Sequence, residues 1–252
     1  MTQDQRHGSI LALVKERGSM SIEELVAHFK VTPQTIRRDL TQLAKKQKLR
    51  RHHGGAASIS STENTSYQTR KIMDLEAKKK IAQHVVNMIP NGASLFINIG
   101  TTTETIARAL LNHENLQIVT NNLNVAAILG QKKDFSVLIA GGEVRHRDGG
   151  VIGEATEEFI NQFRMDFGII GISGIEDDGS LLDFDFREVK VAQAIIKNSR
   201  KVFLAADHSK FGRYAMVRLG NISQAHDFIT DNTPPKSIQM ILSEHDVNLH
   251  LV

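Results

Sequence analysis

Apolar positions in the first quarter of the chain recur at helical spacing. Ile10, Leu11 and Val14 give one apolar face that stops at Gly18, and Leu25, Val26 and Phe29 give a second. Ile36, Leu40 and Leu43 follow at i, i+4 and i+7, so a third helix turns one side inward. Ser21-Ile22-Glu23-Glu24 has the form of a capping box, with Ser21 as N-cap and Glu24 reaching back. Thr32 suits the cap of the third helix, and Pro33 its first position, where a missing N–H costs nothing. The connection from Phe29 to Thr32 is as short as a helix-turn-helix requires. Leu49-Arg50-Arg51-His52-His53-Gly54-Gly55-Ala56 then reads as a basic strand and a tight turn, the form of a wing.

The pattern changes further along. Short apolar runs at 94–98, 116–120, 136–140, 167–171, 201–205, 227–230 and 247–251 predict strands. Helical patterns at 75–89, 103–112, 122–130, 154–163, 185–198 and 236–243 lie between them. This alternation predicts an α/β unit with a largely parallel sheet covered by helices. Residues 58–66 are small, polar and without period, which is a linker composition. The expected division is a DNA-binding unit at 1–56, a linker at 57–72 and a second domain at 73–252.

Charge adds weight to the first unit. Residues 1–60 hold 11 Lys and Arg against 5 Asp and Glu, a formal +6, while the remainder carries a formal −3. The basic excess coincides with the third helix, the footprint expected of a nucleic-acid partner. Off the apolar face of that helix stand Gln34, Thr35, Arg37, Arg38 and Thr41. Gln and Arg carry forked donors suited to base edges, and Arg also holds phosphates. With Thr32 at the cap and Arg50, Arg51, His52 and His53 on the wing, these are the candidate contacts to double-stranded DNA. The plain alternative is a small helical domain with a solvated basic face.

The sequence contains no Cys, so a disulfide framework, thiolate catalysis and a Cys-based zinc site are excluded. No metal site and no cofactor is expected. No apolar run reaches membrane-spanning length and the N-terminus lacks an apolar leader, so a cytoplasmic protein with no membrane partner is expected.

In parallel α/β sheets, ligands bind beyond the carboxyl ends of the strands. The 94–98 strand runs into Asn98-Ile99-Gly100-Thr101-Thr102-Thr103. There a tight turn at Gly100 and Thr hydroxyls at a helix start suit a phosphate or carboxylate. Helix capping by any one Thr is the bland reading. Asn121 and Asn122 end the next strand, where they can read hydroxyls or cap a helix. Gly141 and Gly142 follow a third strand, where they permit close ligand approach or simply make a turn. Asp207-His208-Ser209-Lys210 follows a later strand, with Lys210 as counter-charge to a phosphate and Asp207 as its partner or a hydroxyl acceptor. The acids Asp183, Asp185 and Glu188 precede or open a helix, where the helix dipole is reason enough for them. The candidate effector set is Asn98, Gly100, Thr101, Thr102, Thr103, Asn121, Gly141, Gly142, Asp207 and Lys210.

The N-terminal Pro33-Gln34-Thr35-Ile36-Arg37-Arg38-Asp39-Leu40 with His52-His53-Gly54-Gly55-Ala56 resembles the DeoR family of bacterial repressors. Gly100-Thr101-Thr102, Thr120-Asn121-Asn122, Gly141-Gly142 and Asp207-His208-Ser209-Lys210-Phe211 resemble its sugar-phosphate sensor domain. The resemblance covers essentially the whole chain. It implies a winged helix-turn-helix followed by a ribose-5-phosphate-isomerase-like α/β/α sensor domain. It also implies a homo-oligomeric repressor, a tetramer, that leaves operator DNA on binding a small phosphorylated effector. Within the family, Asn121-Asn122-Leu123-Asn124-Val125-Ala126 and Asp148-Gly149-Gly150-Val151-Ile152-Gly153 resemble members concerned with glycerol metabolism, which implies glycerol 3-phosphate. Two positions depart from the family: Asn98 stands where Asp is usual, and the wing entry Lys48-Leu49-Arg50 is more basic.

A sugar-phosphate isomerase with an accessory DNA-binding module competes with this reading, as does a repressor answering to another sugar phosphate. Isomerisation needs a base beside the substrate carbon, and Asn98 lacks the carboxylate that its strand end would supply. No catalytic residue is therefore expected.

Overall fold

The structure, a computed structural model, describes residues 1–46, 48–52, 54–58 and 64–252. The first unit runs α1 (Gln3–Arg17), β1 (Ser19–Ser21), α2 (Ile22–Phe29), α3 (Pro33–Lys45), β2 (Arg50–His52) and β3 (Gly55–Ala57). Gly18 ends α1 at φ 83°, a left-handed backbone that only Gly adopts at no steric cost. The capping box at Ser21 forms as expected, with Glu24 Oε2 accepting from the Ser21 N–H at 2.6 Å. Thr32 caps α3 and Pro33 opens it. Lys30 in the left-handed region turns the chain between α2 and α3. The apolar stripes meet in one core of Ile10, Val14, Met20, Ile22, Leu25, Ile36, Leu40, Leu43, Leu49 and Ala56. The wing strands β2 and β3 are joined by β1 in a sheet ordered β1-β3-β2. Strand β1 was not legible, because three residues show no period.

Next come α4 (Tyr67–Ile72), α5 (Leu75–Asn87), β4 (Ser94–Ile97), α6 (Thr101–Ala109), β5 (Gln117–Thr120), α7 (Leu123–Leu129) and β6 (Ser136–Ile139). The chain continues through β7 (Glu143–Arg145), β8 (Gly150–Ile152), α8 (Glu154–Ile160), β9 (Met165–Ile170), β10 (Gly174–Ile175) and β11 (Ser180–Asp183). It ends with α9 (Phe186–Lys197), β12 (Ser199–Ala205), β13 (Val217–Asn221), β14 (Asp227–Thr230), α10 (Lys236–Glu244) and β15 (Asn248–Leu251).

A 7-stranded sheet ordered β15-β14-β12-β9-β4-β5-β6 forms the centre of this unit, and all its pairs are parallel. Each predicted strand falls on one of these. Alternate residues face opposite layers, as the strand pleat requires. Leu95 and Ile97 pack with Ile81, Val85, Ile106 and Val125, and Phe96 packs on the other side with Ile160, Ile195 and Ile238. Helices thus cover both faces. The antiparallel pairings β7–β8 and β10–β11–β13 lie beside the large sheet, and their short strands gave no sequence pattern. Residues 67–72, read as linker, form α4. Tyr67 pins it by donating to Glu104 Oε2 at 2.8 Å. Among the described residues no helix is long and apolar enough to cross a membrane.

Candidate functional site

Helix α3 presents Thr32, Gln34, Arg37 and Arg38 to solvent. Among the described residues neither arginine is held in an ion pair. The reverse side of the helix is fixed by buried Asp39. That carboxylate accepts from Arg6 Nε at 2.6 Å, from Gln3 Nε2 at 3.1 Å, and contacts His7 Nε2 at 3.0 Å. Burial pushes the Asp39 carboxyl up, and the bonds from Arg6, Gln3 and His7 outweigh it and hold the carboxyl below its ordinary range. Thr35 Oγ1 lies 2.9 Å from Thr32 Oγ1. Thr41 accepts from Arg51 Nη1 at 2.8 Å, which ties the wing to α3 and leaves Arg51 exposed beside it.

Arg50 departs from the expectation of a DNA contact. Its guanidinium turns into the second domain, where Nη2 donates to the Gly212 carbonyl and the group lies over the Tyr214 ring. Glu176, Asp177 and Asp178 line the same cleft. Burial lowers the Arg50 pKa to about 10 against the pull of Glu176 and Asp177. The cause is packing: a half-buried strand residue at this register faces the sensor rather than solvent. The expected His53 lies outside the described residues, as does the side chain of His52.

The second site opens where β4, β9 and β12 end. Gly100, Thr101 and Thr102 form one wall, and Gly171, Ile172 and Ser173 a second. Arg70, Lys210 and Arg213 bring positive charge to it. Asp183 and Glu188 bring two carboxyls. Lys210 is 7% exposed, and its Nζ donates to Ser209 Oγ at 3.0 Å. Burial lowers its pKa to about 8, countered by Asp207 and reinforced by Arg213. Asp207 sits behind it, with Oδ2 3.7 Å from Nζ. Burial raises the Asp207 carboxyl, but Lys210 and Lys78 overcome this and bring it to about 2. Asp207 is therefore a buried counter-ion, and it does not line the cleft.

Several predicted residues are elsewhere. Thr103 is fully buried and its hydroxyl donates to the carbonyls of Asn98 and Gly100 at 2.8 Å each, so its side chain shapes the turn and does not line the cleft. Asn98 is buried under that turn with Oδ1 unpartnered among the described residues. Asn121 Nδ2 donates to the Val151 carbonyl at 3.1 Å, fastening β5 to β8, while Asn122 caps α7. Gly142, at φ 152°, has no room for a Cβ, which would meet Thr156 Oγ1 at 2.2 Å. Gly141 accepts from Thr156 Oγ1 at 2.8 Å. The crowding is confined to Gly142, since a Cβ on Gly141 would meet nothing within 4 Å, and neither glycine lines the strand-end cleft.

The loop after β12 faces two ways. Ser19 Oγ of β1 donates to the Ser209 carbonyl at 2.8 Å, and Arg213 Nη2 donates to Asn64 Oδ1 at 2.8 Å and Thr65 Oγ1 at 3.1 Å. Lys210 and Arg213 of the same loop line the cleft.

Residues 6–62 match the DeoR-like helix-turn-helix domain and residues 73–232 match the DeoR C terminal sensor domain. The chain belongs to the DeoR family. It is 58% identical to the glycerol-3-phosphate regulon repressor of Escherichia coli (strain K12), over 100% of both chains. It is 55% identical to the protein of that name in Haemophilus influenzae, over 100% of this chain and 98% of that one. Among solved structures, a ribose 5 phosphate isomerase A from Neisseria gonorrhoeae aligns with TM-score 0.40 at 16% identity, covering 53% of this chain and 52% of that one.

In this DeoR-family chain, sequence reasoning missed Arg70, Arg213, Ser173, Asp183 and Glu188 as cleft residues. Arg213 had a signal, since it lies on the strand-end loop that carries Lys210. Arg70 had none, because it follows a polar run that reads as linker. Asp183 Oδ1 accepts from Ser173 Oγ at 3.1 Å and from the Phe184 N–H at 2.7 Å. Glu188 Oε2 pairs with Arg145 Nη1 at 2.6 Å. Arg145 also reaches Asp148 at 2.8 Å and Asp185 at 3.3 Å, and Asp148 takes Arg70 at 3.3 Å. One chain of ion pairs therefore joins the cations and acids of the cleft.

Proposed function

We propose that this protein is a DNA-binding transcriptional repressor whose winged helix-turn-helix holds operator DNA and whose cleft binds glycerol 3-phosphate, which releases the DNA. The observation that carries the reading is the loop 207–213. It supplies Lys210 and Arg213 to the cleft and touches the DNA-binding unit through Ser19 and Arg50. Thr101 and Thr102 at the start of α6, with Arg70, Lys210 and Arg213, form a receptor for a phosphate dianion. The names of the relatives support glycerol 3-phosphate as the effector. Arg37 and Gln34 face base edges, and Arg38 and Arg51 face phosphates. The protein works as a cytoplasmic homo-oligomer, a tetramer, which sets pairs of winged helices at operator spacing.

Effector and operator act by linkage: whatever factor the effector takes from DNA affinity, DNA takes from effector affinity. Titration of the full chain with its operator duplex, with and without glycerol 3-phosphate, tests this. Glycerol 3-phosphate should release the duplex and raise the melting temperature, and glycerol should do neither. Ligand at about 100 times its Kd stabilises the folded state by about 2.7 kcal/mol. Undiminished operator binding at saturating glycerol 3-phosphate would sink the proposal.

A second reading has an observation behind it. Asp183 and Glu188 place carboxyls in the cleft where an isomerase would need a base. A sensitive assay of aldose–ketose phosphate conversion separates the two. Turnover that is abolished by Glu188→Gln would make the protein an enzyme.

A further inference from the structure

We propose that Lys78 is a positioning residue for the effector response: its buried ammonium holds the last carbonyls of α4 and takes over from Lys210 as counter-ion to Asp207 when a phosphate draws Lys210 away. The inference rests on the effector reading above.

Lys78 lies early in α5 and is 1% exposed, whereas its neighbours Lys79 and Lys80 face solvent. A lysine buried this far needs partners. They are backbone groups: Nζ donates to the carbonyls of Arg70 and Met73 at 2.5 Å each. Both carbonyls stand at the end of α4, where helical N–H partners run out. Helix α4 lies against α1 of the DNA-binding unit and against α6, and its Arg70 lines the cleft. Lys78 thus grips a helix that touches both units.

The same ammonium acts on Asp207. That carboxylate is fully buried, and its Oδ2 has no hydrogen bond among the described residues. Lys210 Nζ stands 3.7 Å from this oxygen and donates to Ser209 Oγ instead. Burial raises the Asp207 carboxyl, and Lys210 and Lys78 outweigh it. Leaving a buried carboxylate without a counter-ion is costly. Once a phosphate takes Lys210, Lys78 is drawn toward Asp207 and its grip on α4 loosens. A phosphate in the cleft is thereby linked to the position of a helix packed on α1.

The charges around the two lysines fix the expected signs. Asp207, Asp74 and Glu104 favour the charged form of Lys78, and burial and Arg70 oppose it. Burial lowers Lys210, and Arg213, Lys78 and Arg70 lower it further against the pull of Asp207. Removing the Lys78 charge therefore raises the Lys210 pKa and leaves Asp207 to hold Lys210 harder.

The test uses the full chain and Lys78→Met, which fills the space without charge or donors. Calorimetry with glycerol 3-phosphate across pH, and operator anisotropy with and without it, give two readings. In Lys78→Met the pH at which effector affinity falls should rise by about half a pH unit or more. The factor by which glycerol 3-phosphate lowers operator affinity should shrink several-fold. Loss of a helix cap alone would leave the pH midpoint in place. In a Lys210→Arg background the midpoint shift should vanish, because the titrating partner is gone. Lys78→Gln, which keeps donors for the carbonyls and removes the charge, replaces the methionine variant if that does not fold. Side-chain nitrogen NMR of the parent decides if neither folds: glycerol 3-phosphate should shift the signals of both buried lysines, and a shift of one alone overturns the inference. An unmoved midpoint in a folded variant overturns it and leaves the effector reading standing. An unchanged release factor also overturns it, because Lys78 then tunes the cleft without reaching α4. A parent that neither binds glycerol 3-phosphate nor releases operator removes the effector reading, and this inference with it.

Discussion

Ser19 Oγ donates a 2.8 Å hydrogen bond to the carbonyl oxygen of Ser209, so the first strand of the DNA-binding unit is fastened one residue away from Lys210. Ser19 is buried. The neighbouring Ser209 N–H and hydroxyl are both held by Asp207 Oδ1. Any ligand that pulls the Lys210 ammonium forward must strain this loop or shift β1 with it. Packed elements of this kind have discrete arrangements rather than soft ones, which is how a small displacement becomes a change of domain position.

Ser19→Ala should therefore weaken communication more than either binding event. The loss of one buried hydrogen bond costs about 1 kcal/mol, and more where the carbonyl stays unpaired. Effector binding to the free protein should persist, while the factor by which glycerol 3-phosphate lowers operator affinity should shrink several-fold. Calorimetry and anisotropy on the same preparation measure the two quantities. An unchanged release factor would show that the signal leaves the sensor by another route.

On α3 the two exposed arginines should behave differently. Arg37→Ala should cost about 1–3 kcal/mol of specific binding if it reads a base pair bidentately. Arg38→Ala should weaken operator and scrambled duplex alike and flatten the salt slope by about one unit. Titrations of both duplexes at several salt concentrations check this. Equal loss on both duplexes for Arg37→Ala would reduce it to a phosphate contact.

The strands of the large sheet were legible because they are short apolar runs bounded by turns, and this held even for the edge strands β6 and β15, which are partly exposed. The helix-turn-helix was legible through Ser21, Thr32 and Pro33, whose caps are local chemistry. The cleft was legible only in part. Gly100, Thr101, Thr102 and Lys210 sit where the strand-end rule points. Among the three acids near α9, Asp185 does cap the helix, accepting from the Arg187 N–H, while Asp183 and Glu188 turn inward. Sequence neighbourhood cannot separate them, because the difference lies in which layer each residue faces. Arg50 could not be oriented for the same reason: a basic strand residue near the DNA-binding helix can equally face the other domain, as it does here against Gly212 and Tyr214.

Effector affinity should fall as pH rises through about 8. Burial lowers the Lys210 pKa to about 8, so the ammonium that faces the phosphate is lost above it. Burial and Asp183 place Glu188 at about 8 as well, so negative charge is added in the same window. Both changes disfavour an anion. Stability carries the opposite sign for Lys210: its folded pKa lies below its ordinary 10.5, so between the two values the unfolded chain binds more protons and this group favours folding as pH rises. His208 opposes that, because its hydrogen bond to Asp231 raises it to about 9, and its contribution disappears as pH rises through that value. Calorimetric affinity across this range, repeated on Lys210→Arg, checks the assignment: the arginine variant should keep its cation and show a shallower fall. An affinity flat through the window in the parent would remove Lys210 from the phosphate site.

Arg50 offers the sharpest separation of a coupling residue from a DNA contact. Its guanidinium lies on Tyr214 and donates to Gly212, two residues past Lys210, and its Nε is buried without a partner among the described residues. A cation already desolvated against the sensor has given up the hydration that a phosphate contact would otherwise replace. Arg50→Ala should therefore leave the salt slope of operator binding unchanged, where loss of a phosphate contact would reduce it by about one unit. It should instead lower the release factor, and Tyr214→Ala should do the same. The double variant should lose little beyond either single change, since residues that share one contact are not additive. Salt titrations of the four proteins, each with and without glycerol 3-phosphate, give both quantities. A reduced slope with a normal release factor in Arg50→Ala would return Arg50 to the DNA surface and make its place on Tyr214 a feature of the unbound protein alone.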